Sequence, residues 1–258
     1  MNNGIIYIIG HGGAGFISLD NKLPINSFKS VTKAIEKQNA DGVEVDVQLS
    51  GDNKLMLYHD DLLETSTYCS GCISAISAEE LGECHYKSYG TLNFSKEKLI
   101  TLDVIMSRFS KRKVKPLVFL DTKTIQICNE NNYSESETNM IEKIDFIIKE
   151  YNAQTWLHVM SSSYEFLQEM QQLNPEVKLW LDGDFETNIP IAKTHNFYGV
   201  SGNNSKVSAE QISFAHDNGI YALLFGFKSQ NGIVSAIKKN PDYLQTDNII
   251  LTQQILLQ

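Results

Sequence analysis

The sequence predicts a closed, TIM-type (β/α)8 barrel with a small insertion after its second strand region, and three observations lead there. Strand-like and helix-like segments alternate along nearly the whole chain, which argues for a parallel sheet covered by helices. Eight strand-like segments can be counted in 258 residues, and a typical barrel of eight such units takes about 250. No Gly-x-Gly-x-x-Gly opens a helix, so the dinucleotide-binding form of an open sheet lacks its phosphate-binding turn.

The elements follow in order. The apolar run 5–9 is the first strand, and it ends at His11-Gly12-Gly13. Residues 26–38 carry Phe28, Val31, Ala34 and Ile35 at helical spacing, with Asn26 or Ser27 as the cap after Pro24. Residues 42–48 alternate as a strand, and Asp52-Asn53 turns the chain into 54–59. From 61 to about 99 there is little periodicity, and a stretch of that length is too long for a simple connection. It reads as a small inserted subdomain or a lid. Beyond it, strands are expected at 116–120, 155–160, 177–181, 198–200, 220–225 and 243–246. Helices are expected at 102–109, 141–148, 164–173, 187–195, 209–217, 232–239 and 249–257. Residues 1–258 thus read as one barrel domain carrying an insertion at about 61–99.

Charge narrows the partners. With 31 acidic and 22 basic residues the net charge is −9, and the basic run Lys111-Arg112-Lys113 suits a helix C-terminus. Nucleic acid is not an expected partner; a small molecule is. No stretch approaches the roughly 18 apolar residues of a membrane span. The N-terminus lacks the basic head and long apolar core of a signal peptide, so a cytoplasmic location is expected. Cys69, Cys72, Cys84 and His85 brush against a zinc pattern, but Cys84-His85 is an awkward ligand pair and no second CxxC follows. A Cys69–Cys72 disulfide or free thiols are expected instead, with Cys128 alone.

In such a barrel, chemistry collects where strands end on the carboxyl face. Those positions hold His11, Glu44 with Asp46, His59, Asp121 with Lys123, Ser161, Asp182, Ser201, Phe225 and Asp247. Glu44 and Asp46 are two residues apart, so both carboxylates leave an extended strand on one face. The flanking Val43, Val45 and Val47 imply a covered outer side, which turns the carboxylates inward, where they are costly unless paired or metal-bound. Asp121 and Lys123 repeat the spacing. Three carboxylates from two strands make an oxygen-rich pocket for Mg²⁺ or Ca²⁺, and Lys123 adds a point charge for a phosphate oxygen. Two imidazoles beside such a centre suit phosphodiester cleavage, one removing a proton and the other donating one. His85, His158, His195 and His216 read as structural, hydrogen-bonded residues.

With these residues in hand, the chain resembles the glycerophosphodiester phosphodiesterase family, similar in fold to barrel phosphodiesterases such as inositol-phospholipid phospholipases C. The resemblance is carried by His11-Gly12-Gly13-Ala14, Pro24-Ile25-Asn26-Ser27, Asp41-Gly42-Val43-Glu44-Val45-Asp46-Val47 and His59-Asp60. It continues through Thr101-Leu102-Asp103-Val104-Ile105, Asp121-Thr122-Lys123, Phe225 and Gln245-Thr246-Asp247. It implies His11 and His59 as the acid/base pair and Glu44, Asp46 and Asp121 as ligands of a divalent cation. Lys123 and Phe225 become substrate contacts.

Three departures stand out. Gly12 replaces the family's arginine, removing a bidentate phosphate clamp. Ile25 replaces a glutamate, and Asp121 replaces a longer one. Loss of the first two together leaves no unpaired buried charge if they were partners, whereas losing one would be expensive. The implied activity is metal-dependent hydrolysis of a glycerophosphodiester to glycerol phosphate and an alcohol. The alternatives are a changed substrate, phospholipid-like or sugar-linked, or a phosphate-binding barrel with weakened catalysis.

Overall fold

Runs of β-branched and apolar residues that bury both faces make parallel strands, and the described residues supply eight of them. They are β1 (Tyr7–Gly10), β2 (Gly42–Leu49), β4 (Leu117–Thr122), β5 (Leu157–Ser161), β6 (Lys178–Asp182), β7 (Gly199–Asn203), β8 (Tyr221–Phe225) and β9 (Tyr243–Thr246). A computed structural model describes residues 4–18, 21–87, 96–124 and 133–257. The eight strands pair in parallel in the order β1-β9-β8-β7-β6-β5-β4-β2, and β1 pairs with β2 to close the barrel. A further strand, β3 (Leu55–Leu57), pairs antiparallel with the far end of β2, Val47 opposite Leu57. β1 has by then left β2, after Gly10 opposite Val43, so β3 takes the vacated edge and brings His59 back toward the barrel mouth.

Helices α1 (Phe28–Glu36), α5 (Tyr164–Leu173), α6 (Phe185–His195), α7 (Ala209–Asp217), α8 (Gln230–Lys238) and α9 (Ile249–Leu256) each start behind a capping side chain. Ser27, Ser163, Asp184, Ser208, Ser229 and Asn248 accept from backbone N–H groups of their helices' first turns. Helix α2 (Ala78–Leu81) lies in the insertion, and Lys111 closes α3 (Leu102–Ser110) as expected. Helix α4 (Tyr133–Tyr151) starts well before the apolar face read at 141, because its polar first turns carry no hydrophobic stripe.

One apolar layer lies between strands and helices, with Val43, Val45, Val47, Val118 and Leu120 facing outward into it. A second fills the barrel, with Ile9, Phe119, Met160, Trp180, Leu223 and Tyr243. His158 belongs to this interior: it is fully buried and accepts from Trp180 Nε1 at 2.9 Å. His195 meets Gln168 and His216 meets Asp242. These histidines are structural, although their partners are side chains.

The insertion packs Leu63, Ile73, Leu81, Tyr86 and Leu99 into a small core against Met56 and Tyr58 of the β3 segment. Here one expectation is corrected: Cys69 is bonded to Cys84, not to Cys72. An antiparallel bridge pairs Thr67 with Tyr86, and Tyr68 N donates to His85 O at 2.9 Å. That register sets residue 69 opposite residue 84, which proximity in sequence could not show. Cys128 lies outside the described residues. Among the described residues no helix is long and apolar enough to cross a membrane.

Candidate functional site

The carboxyl ends of β1, β2, β4 and β9 gather the acidic and imidazole groups on one rim. Asp46 pairs in register with Asp121, so strand parity puts Glu44, Asp46 and Asp121 inside the barrel. An oxygen from each lies within 4.8 Å of the others. Glu44 and Asp46 are 1% and 2% exposed, depths at which carboxylates need partners. Lys123 supplies one, with Nζ 2.9 Å from Asp46 and 2.6 Å from Asp121. Asn26 supplies another: its Nδ2 donates to Asp46 Oδ2 at 2.7 Å and its Oδ1 accepts from Asp46 N. To do so Asn26 adopts φ +61°, a left-handed conformation that asparagine tolerates. It therefore serves the site, and Ser27 is the cap.

Electrostatics follow from this crowding. Burial, then the charge of Asp46, pushes the Glu44 carboxyl well above its ordinary range. Burial raises Asp121 as well, against the pull of Lys123. Burial depresses Lys123, but Asp46 and Asp121 outweigh it and hold the ammonium charged. Gln245 Nε2 donates to Glu44 at 3.2 Å, while its own Oε1 is buried without a partner. An all-oxygen donor set, with carboxyls destabilised by mutual repulsion and an unmatched acceptor beside them, fits a hard divalent cation.

The two histidines are held alike. His11 Nδ1 lies 2.9 Å from Asp247 Oδ1, and its Nε2 lies 4.0 Å from Glu44. Burial alone would lower this imidazole, but the bond to Asp247 and the charge of Glu44 raise it from 6.5 to about 9. His59 Nδ1 lies 3.0 Å from Asp60 Oδ1, and Ser66 donates to the other Asp60 oxygen. The Asp60 bond is the main reason that His59 is raised. Phe16 stands between them, with T-shaped contacts to His11 at 4.8 Å and His59 at 6.4 Å.

A cavity of about 430 Å³ opens beside His59, walled by Phe16, Ile17, Ile25, Tyr58, Tyr86 and Lys228. Ile25, on its wall, ties two departures together. Gly12 has φ +52°, and a Cβ there would meet Ile25 Cβ at 2.5 Å. Positions 12 and 25 are in contact.

Six of the seven residues singled out in the sequence come to this rim. Phe225 ends β8 but packs on the apolar cluster inside the barrel rather than on the cavity wall. Sequence reasoning placed Asp247 at a strand end and gave it no role. Asn26 reads there only as a cap or a motif residue and Gln245 only as part of a motif, while Phe16 and Lys228 carry no reading. Asp247 and Gln245 had a strand-end signal; Phe16 and Lys228 lie in loops and had none. Asp182, on the same face, accepts from Ser201 Oγ at 2.6 Å, and burial pushes it up to about 6.

Comparison with known proteins points one way. The sequence profile of the Glycerophosphoryl diester phosphodiesterase family matches residues 19–251. A Bacillus subtilis relative with a provisional glycerophosphodiester phosphodiesterase name is 26% identical over 88% of this chain and 83% of its own. A glycerophosphodiester phosphodiesterase of Caldanaerobacter subterraneus is 26% identical over 67% of this chain and 65% of its own. Among solved structures, an Oleispira antarctica phosphodiesterase in complex with the product sn-glycerol-3-phosphate superposes with a TM-score of 0.82 at 20% identity, covering 98% of each chain. A glycerophosphodiester phosphodiesterase from Agrobacterium tumefaciens gives 0.78 at 18% identity, covering 97% of this chain and all of that one.

Proposed function

The chain belongs to the glycerophosphoryl diester phosphodiesterase family, and from that premise we propose that it hydrolyses a glycerophosphodiester to glycerol phosphate and an alcohol. One observation carries the reading: two imidazoles, each with Nδ1 on a carboxylate, flank Phe16 on the rim that holds the clustered carboxylates of Glu44, Asp46 and Asp121, the first two of them buried. Glu44, Asp46 and Asp121 would hold a divalent cation, Mg²⁺ or Ca²⁺, which when bound offsets charge on the phosphoryl oxygens. Lys123 contacts the phosphate. One imidazole takes the proton of the attacking hydroxyl, which is water or the glycerol's own neighbouring hydroxyl; in the second case a cyclic phosphate forms first and water then opens it to glycerol phosphate. The other delivers a proton to the departing alkoxide as its bond to phosphorus breaks. Asp247 and Asp60 fix the rings so that each presents Nε2 to the reacting atoms. We read residues 1–258 as one domain, with the insertion forming a wall of the cavity through Tyr86.

The test is release of glycerol phosphate from glycerophosphocholine with Mg²⁺ or Ca²⁺ present. His11→Ala or His59→Ala should each lower kcat by roughly 10²–10⁴-fold. A double alanine variant that keeps wild-type turnover refutes the scheme. A second reading, a bulkier apolar alcohol, is favoured by the apolar cavity wall that Ile25, Phe16, Ile17 and Tyr86 make beside His59. Relative turnover of long-chain diesters and glycerophosphocholine at saturating cation separates the two.

A further inference from the structure

We propose that Lys228 is a phosphate-binding residue of this site, supplying from the β8 side the positive charge that position 12 lacks on the β1 side. The inference rests on the proposed phosphodiesterase reading and adds a residue to it.

A diester anion approaching this rim meets Glu44, Asp46, Asp121, Asp60 and Asp247, and needs cations to offset them. Lys123 is shared between two of those carboxylates, at 2.9 and 2.6 Å. Gly12 brings no side chain, and Ile25 closes over it. Lys228 is different. It follows β8 in a loop, is exposed, and makes no ion pair among the described residues. Its Nζ lies 4.9 Å over the ring of Phe16, the ring that contacts both His11 and His59. It lines the same cavity as His59. Its charge also reaches Asp247: burial would raise that carboxyl, but His11, the Phe16 N–H and, least of these, Lys228 hold it below its ordinary value. A long side chain resting on the ring that touches both imidazoles, with no ion pair among the described residues, can swing onto a phosphate oxygen at little cost. Lysine serves there as a point charge rather than a fork.

The experiment compares wild type, Lys228→Ala and Lys228→Arg as Mg²⁺-loaded proteins. It reads KM and kcat for glycerophosphocholine, and the affinity for inorganic phosphate by calorimetry. Losing a charge-assisted contact should raise KM and weaken phosphate binding by roughly 10- to 100-fold, with kcat changed far less. Lys228→Arg should restore most of the affinity, and the thermal midpoint should not move, because the side chain is exposed. The wild-type affinity should also fall more steeply with salt than that of Lys228→Ala. Unchanged KM and phosphate affinity in Lys228→Ala would overturn the proposal. If wild type hydrolyses no diester, the proposed function fails, and Lys228 is judged on phosphate affinity alone. Absence of phosphate binding by wild type would overturn it too.

Discussion

Gly12 offers the sharpest test of how this site is built. Replacing it with alanine has two separable costs. At φ +52° an L-residue pays about 1 kcal/mol relative to glycine. The new Cβ would also lie 2.5 Å from Ile25 Cβ and 2.9 Å from its Cγ2. A branched carbon close to the backbone cannot swing away, so overpacking adds about 1–3 kcal/mol. The sum is about 2–4 kcal/mol, which in a chain of this size lowers Tm by about 5–15 °C. Urea denaturation of Gly12→Ala in two backgrounds separates the costs. In Ile25→Gly the clash is gone and the φ cost remains, so the penalty should shrink by about 1–3 kcal/mol. Equal penalties within about 0.5 kcal/mol would refute the contact argument. The same logic predicts that Gly12→Arg alone destabilises, while Gly12→Arg with Ile25→Glu recovers part of the loss. A neutral or stabilising Gly12→Arg would end the idea that the two positions changed as a pair.

Two further predictions follow from the electrostatics of the rim. Asp247→Asn removes the carboxylate on His11 Nδ1; kcat should fall by roughly 10²–10⁴-fold, and the His11 ring, titrated by NMR in metal-free protein, should move from about 9 down toward 6.5. A ring that still titrates near 9 would show that Glu44 alone holds the proton. In metal-free protein the raised His11 contributes stability that is complete below 6.5 and lost as pH rises through about 9. The raised Glu44 carboxyl acts in the same direction, since it too must lose a proton that the fold favours. Tm without cation should therefore fall between those pH values. Mg²⁺ or Ca²⁺ at a hundred times its Kd should restore about 2.7 kcal/mol, and a pH-independent Tm unaffected by either ion would contradict this.

Much of the fold was readable because its signals are local. Glu44 and Asp46 share a face by strand parity alone, and Val43, Val45 and Val47 tell which face is covered. Asp121 and Lys123 repeat the pattern, and the structure sets Asp121 level with Asp46. His11 and His59 stand out because each follows an apolar run. Of the two caps offered for the first helix, Ser27 stands where a helix start needs a side-chain acceptor. The short β3 was not counted among the strands, because three residues are too few to show a period.

Periodicity along the chain therefore fixed the barrel, its order of elements and the inward face of each strand. Those depend on neighbours one to four residues apart. The partners that make the rim a site were decided by closure of β1 on β9 and β2. Closure sets Asp247 against His11 across 236 positions and Gln245 against Glu44 across 201. Packing of the loops and of the insertion likewise decided which groups meet there: Ile25 over Gly12, Cys84 against Cys69, and Phe16 under Lys228. A side chain's direction is a local property of the backbone, but the group it meets is set by where distant segments pack.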